Sequence, residues 1–180
     1  VLAVSPNGRL PSLHADGFAV WDSLAIAEWV AEACPHAALW PLNPQQRAEA
    51  RSVTAEMHSG FDHIRQHLPM NLHRRITARD WDPQTREEIV RLDDILTGLR
   101  RRHARQGDWL FGHRGIADAF YAPMAARMRT YGVTLSPEAM HYCETLLADA
   151  DLREWEASCI ADSWDSSGYS VIDGLYAGAD

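Results

Sequence analysis

Residues Gly8 to Glu32 read GRLPSLHADGFAVWDSLAIAEWVAE, and the order of their parts decides the fold. Leu10–His14 and Phe18–Trp21 flank Asp16-Gly17, a dipeptide suited to a tight hairpin turn. They predict two short antiparallel strands, with Pro11 inside the first. From Ser23 the period changes. Leu24, Ala27, Val30 and Ala31 recur at helical spacing, and Pro35 ends that segment. A hairpin that enters a helix through Asp22-Ser23 exposes unpaired helix N–H groups at one end of the strands. Such a position suits a small anionic ligand.

Downstream the chain reads as helix throughout. LWPLNPQQRAEA, residues 39–50, is a proline-rich bridge in which Asn43 can cap a helix and Pro44 suits its first position. Val53, Met57, Phe61, Ile64 and Leu68 form one apolar stripe, which predicts a single long helix stopped by Pro69. A second long helix starts at Asp82-Pro83, with Ile89, Leu92, Leu96 and Leu99 as its stripe. Its basic end, RRRHARQG, fits the preference of Arg and His for a helix C-terminus. Phe120, Met124 and Met128 mark a third helix over 116–131, and Ser136-Pro137 opens a fourth. Asp151 with Glu154 reads as a capping box for a fifth around Trp155. The division is 1–34 as a small β-α piece, 35–44 as linker, 45–162 as an all-helical domain and 163–180 as a tail. The fold class is therefore α/β plus all-α.

Composition narrows the function. The 180 residues are 46% hydrophobic and 23% charged, a globular balance. The net charge of -8 argues against a nucleic-acid partner. No apolar run reaches the roughly 18 residues of a membrane helix, so no membrane partner is expected. All 17 basic residues are arginine, which reads as base-composition bias. Cys34, Cys143 and Cys159 are widely spaced without a CxxC pattern, which points to a reducing compartment and to buried apolar thiols. VLAV, residues 1–4, is too short for a signal peptide. His63 and His67 are an i, i+4 pair near His58, but no carboxylate or thiol stands at a set spacing from them, so no metal is assigned.

Four segments carry a family resemblance. SPNGRLPSL (5–13) and VWDSLAIAEWVAE (20–32) resemble the second half of the thioredoxin-like domain of cytosolic glutathione transferases, closest in flavour to bacterial ones. WLFGHRGIADAFYAPMAARMRTYGV (109–133) resembles the core helix of that family's all-helical C-terminal domain, and LREWEASCIAD (152–162) its final helix. The resemblance runs from about Val1 to Asp162. It implies a cytoplasmic, homodimeric detoxification enzyme that uses glutathione as cosubstrate against a small apolar electrophile bound between the domains.

The same resemblance assigns residues. Pro11 would follow a cis bond, leaving the backbone of Leu10 to pair with the cysteinyl segment of glutathione as an added strand does. Ser23 and nearby N–H groups would take the γ-glutamyl carboxylate. Asp22 would face the γ-glutamyl ammonium and Arg9 the glycine carboxylate. Val20 and Trp21 would anchor the strand presenting them. His58, Phe61, Arg65, Tyr121 and Arg127 are candidates for the electrophile cleft, and helix packing fits all five equally. Asp118 belongs to a folding motif whose usual Ser or Thr cap is here Gly115, which implies weaker pinning of that helix. Each ligand residue also has a plain reading: a helix cap, an edge-strand proline, a surface arginine.

The family's first β-α-β unit, roughly 45–50 residues, is expected to precede Val1, and the catalytic Ser, Tyr or Cys with it. A thiol of pKa about 8.5 is only about 3% thiolate at pH 7, so that residue matters. A lone hairpin is also marginal without further strands. Two other readings stand beside the enzyme: a non-catalytic interaction module associated with translation or transcription, and an inactive fragment.

Overall fold

The computed structural model describes residues 1–72, 74–77 and 79–161. The tail expected at 163–180 lies outside them. Strands β1 (Ser12–Ala15) and β2 (Phe18–Trp21) pair antiparallel, from Ser12 opposite Trp21 to Ala15 opposite Phe18. The turn has φ 47° at Asp16 and 83° at Gly17, the two positive values that a type I′ hairpin requires. β1 starts at Ser12, not at Leu10, because Pro11 has no N–H to give the ladder. The Leu10–Pro11 bond is cis. Helix α1 (Ser23–Ala33) packs on both strands but buries no residue completely. Trp21 is 44% exposed, so it does not anchor β2 as the sequence suggests.

The remaining helices are α2 (Pro44–Ser59), α3 (Asp62–His67), α4 (Pro83–His103), α5 (Ile116–Thr130), α6 (Pro137–Ala148) and α7 (Ala150–Ala161). None is long and apolar enough to cross a membrane among the described residues. The small sheet followed by helices is the expected α/β plus all-α class. By contacts the chain forms two units. One comprises Val1–Gly60 with His103–Phe120, and the other Phe61–Arg102 with the residues from Tyr121.

Three details depart from the sequence reading. The expected helix through Val53 and Leu68 is two helices. Gly60 ends α2 by donating its N–H to the Glu56 carbonyl, and Phe61 turns left-handed at φ 61° before α3 starts. That turn buries the Phe61 ring. The Glu88 carboxylate then receives the N–H groups of His63 at 3.2 Å and Ile64 at 2.8 Å, capping α3 from α4. The capping residue of α7 is Asp149, not Asp151: its Oδ1 accepts from Asp151 at 3.1 Å and Leu152 at 3.3 Å. Of the cysteines only Cys143 is buried, and burial pushes its thiol up to about 12.

Core packing in the second unit centres on Tyr121, Tyr131 and Tyr142, each at most 1% exposed, with Ile64, Leu92 and Leu96. The Tyr131 hydroxyl donates to the Pro69 carbonyl at 2.7 Å, which satisfies its buried polar end. In the first unit the start of α5 is fixed by Asp118, 2% exposed. Its Oδ1 accepts the Leu110 N–H at 3.0 Å and its Oδ2 the Gly115 N–H at 2.8 Å. Gly115 leaves space for a neighbour: a Cβ there would lie 2.8 Å from the Leu39 carbonyl oxygen, which accepts the Ile116 N–H at 3.1 Å.

Two substitutions follow from this corner. Gly115→Ala should lower stability by about 1–3 kcal/mol in urea unfolding, because the added carbon meets backbone that cannot swing away. Asp118→Ala should cost more, about 2–5 kcal/mol, because it orphans two N–H groups. Unchanged unfolding midpoints would remove this corner from the folding motif.

Candidate functional site

The end of the hairpin and the start of α1 gather the polar groups of the first unit. The Ser12–Trp21 register sets Leu10-Pro11 and Asp22-Ser23 at the same end of the ladder. Asp22 holds φ 74°, ψ 130°, a backbone state that non-glycine residues rarely adopt and that costs on the order of 1–3 kcal/mol. Its side chain supports that geometry. Oδ1 accepts from Leu24 N–H at 2.9 Å and Ala25 N–H at 3.4 Å, capping α1.

The second oxygen of Asp22 points elsewhere. His58 Nε2 lies 3.0 Å from Asp22 Oδ2, and Ser23 Oγ lies 3.5 Å from His58 Nδ1. Nε2–H is placed to donate to the ionised Asp22 carboxylate, and a ring protonated there alone leaves Nδ1 to accept from the hydroxyl. Phe120 packs edge-on against the imidazole at 5.9 Å. Burial works against the Asp22 charge, but the Leu24 and Ala25 amides and His58 outweigh it and hold the carboxyl below its ordinary range. The result is an ionised, half-exposed carboxylate beside a hydroxyl at a helix N-terminus. It can receive a ligand that carries an ammonium and a carboxylate on one carbon.

The other predicted residues fall as follows. Arg9 and Leu10 are exposed, and the Arg9 amide is held by Asn7 Oδ1 at 3.0 Å. No partner holds the Arg9 guanidinium among the described residues. Phe61 and Tyr121 are core residues of the second unit, 6% and 1% exposed. Arg127 is also buried there. Its Nε donates to the Leu68 carbonyl at 3.0 Å and its Nη1 to the Pro123 carbonyl at 3.2 Å. Burial, with the Arg65 charge, lowers it to about 10. Arg65 is half-buried on α3. Sequence reasoning did not place His58 on Asp22, since 36 residues separate them. Phe120 was read only as a stripe residue.

Comparison with known proteins defines the class. Residues 1–33 match the glutathione S-transferase N-terminal domain family. A maleylacetoacetate isomerase of Pseudomonas aeruginosa is 31% identical over 140 residues, covering 74% of this chain and 63% of that protein. The glutathione S-transferase GstB of Escherichia coli is 26% identical over 139 residues, covering 76% and 66%. A solved structure of a glutathione transferase homologue from Burkholderia, with bound glutathione, superposes with a TM-score of 0.62 at 26% identity, covering 87% of this chain and 74% of that one. The fold is thus that of a thioredoxin-like domain portion with a glutathione-transferase helical domain. Over most of its length the chain is similar to members of the glutathione transferase family, and it spans 63% of the length of the Pseudomonas relative.

The cap can be separated from the charge. Asp22→Ala should destabilise the chain by about 1 kcal/mol, while Asp22→Asn, which still accepts the Leu24 N–H, should cost only a few tenths. Thermal unfolding of both variants checks this; equal losses would mean that the His58 contact, not the cap, sets the stability.

Proposed function

We propose that the protein is a glutathione-dependent enzyme that holds glutathione at the Asp22-Ser23 end of the hairpin and directs its thiolate at an electrophile. The observation that carries this reading is the Asp22–His58–Ser23 cluster at the N-terminus of α1. Asp22 Oδ2 would take the γ-glutamyl ammonium, with His58 holding the carboxylate in place. Ser23 Oγ and its N–H, which has no partner among the described residues, would take the γ-glutamyl carboxylate, aided by the helix dipole. The backbone of Leu10, ahead of the ladder, would pair with the cysteinyl unit, and Arg9 would face the glycine carboxylate.

The names of the relatives support two chemistries, transfer of glutathione and isomerisation of maleylacetoacetate. Both use the same thiolate, so the proposal at this site is glutathione binding first, with an apolar or acidic unsaturated substrate second. The proposal includes a homodimer in the cytoplasm. The half-exposed rings of Phe18 (45%), which also packs on Trp29, and Trp21 (44%) support the homodimer as apolar surface on one hairpin.

Glutathione titration by calorimetry tests the reading. Asp22→Asn should weaken binding about 10- to 150-fold, the scale of one charge-assisted hydrogen bond of about 1.5–3 kcal/mol. Ser23→Ala should weaken it about tenfold. The Asp22 carboxyl titrates below its ordinary 3.8. Affinity should therefore hold from neutral into mildly acidic solution and fall only as pH drops through that lowered value. Wild-type protein that does not bind glutathione would move the assignment to a non-catalytic interaction module.

A further inference from the structure

A second polar cluster lies at the start of α3 and α4, in the unit that begins at Phe61. His63 and His67 stand one turn apart on α3, and Asp82 precedes α4. One donor atom from each lies within 4.8 Å of the other two. His67 Nδ1 is 2.9 Å from Asp82 Oδ2, and His63 Nδ1 is 3.9 Å from Asp82 Oδ1. The His63 Nδ1 atom is buried and has no hydrogen-bond partner among the described residues, although the ring is 43% exposed. A buried imidazole nitrogen that faces a carboxylate without bonding to it is an orphan that native structures seldom leave unexplained.

We propose that His63 Nδ1, His67 Nδ1 and the Asp82 carboxylate form a binding site for a divalent zinc-class metal ion. Two imidazoles and a carboxylate are a zinc-type donor set. Calcium and magnesium would demand six or more oxygens, which the site does not offer. An ion about 2 Å from each donor fits inside a triangle of this size. The neutral imidazoles would carry their protons on Nε2, leaving both Nδ1 lone pairs to the ion. The side chains are 43%, 32% and 35% exposed, so the cluster lies near the surface, where an ion can arrive from solvent.

The surroundings hold the donors in place before any ion arrives. Thr85 donates its hydroxyl to Asp82 Oδ2 at 2.5 Å and its N–H to Oδ1 at 3.0 Å, fixing the carboxylate plane. Thr85 Oγ1 also sits 2.7 Å from His67 Nδ1, and Thr85 is fully buried. Glu88 holds the N–H groups of His63 and Ile64, which locks the start of α3 against α4. Such supporting contacts to ligating carboxylates and ligand-bearing elements are what tune a metal site. The ion would tie the six-residue α3 to the start of α4.

The test uses tag-free protein stripped with a chelator, titrated with Zn²⁺ by calorimetry and with Co²⁺ by visible absorption. One equivalent should bind, with the intense bands of four-coordinate cobalt. His63→Phe removes the unpartnered nitrogen and leaves the cap of α4 untouched, so it should keep the fold by circular dichroism. It should weaken Zn²⁺ about tenfold or more. Asp82→Asn keeps a capping side chain and should lose binding as well. Absence of binding to the wild-type chain would overturn the proposal. So would one equivalent bound with unchanged affinity by both variants, because the ion would then sit on other histidines.

Discussion

The buried carboxylate of Asp118 is the constraint on which the chain's middle depends. A charged group at 2% exposure is tolerable only if its oxygens are bonded. Asp118 meets that condition with the N–H groups of Leu110 and Gly115, and so ties the loop before α5 to the helix itself. The loop is thereby set for Ile116 to donate to the Leu39 carbonyl, which stitches residue 39 to the start of α5. Glycine at 115 follows from that closeness. A Ser or Thr cap would bring a side-chain oxygen but also a Cβ 2.8 Å from the Leu39 oxygen. Here the space is used for backbone proximity, and Asp118 alone supplies the acceptors.

Elements with local causes were legible in the sequence. Asp16-Gly17 specified the turn, Asn43-Pro44 the start of α2 and Asp82-Pro83 the start of α4, because each signal acts within four residues of itself. The failures have non-local causes. The stripe from Val53 to Leu68 is real, and Met57, Phe61, Ile64 and Leu68 are all buried. Yet apolar spacing cannot report that the Glu88 carboxylate, over 20 residues on, stands ready to cap a new helix after Gly60. The cap of α6 shows the same limit. Ser136-Pro137 marks its start, but the Ser136 side chain does not cap it: its Oγ and N–H both donate to Asp93 on α4, at 2.6 and 3.0 Å.

The candidate site divides along the same line. Asp22 and Ser23 stand out because a helix start and a ligand-binding start share one sequence signature, and the sequence alone does not separate the two readings. The structure adds the partner of Asp22 Oδ2, and that partner is His58. Its position in the sequence, in the last turn of α2, read only as one of several residues facing a cleft. Tyr121 and Arg127 illustrate the converse. Their types suit a binding cleft, but both are buried, and Arg127 ties the Leu68 and Pro123 carbonyls.

One local device occurs twice in this chain, and the difference between its two copies is one of charge and donor count. At Asp22 and at Asp82 an aspartate caps a helix with Oδ1 and turns Oδ2 to an imidazole. In each a hydroxyl just inside the helix lies against the same imidazole, Ser23 at 3.5 Å and Thr85 at 2.7 Å. Asp22 has one ring and a carboxylate 47% exposed, which suits a single positive charge arriving from solvent with hydrogens to donate. Asp82 has two rings, and the second brings a buried nitrogen with no hydrogen-bond partner among the described residues. An ammonium brings hydrogens of its own to the carboxylate, whereas a divalent ion that sheds its water needs lone-pair donors in its place. On the two proposals above, the same capping aspartate would take a protonated amine where it stands with one histidine, and a metal where α3 adds another.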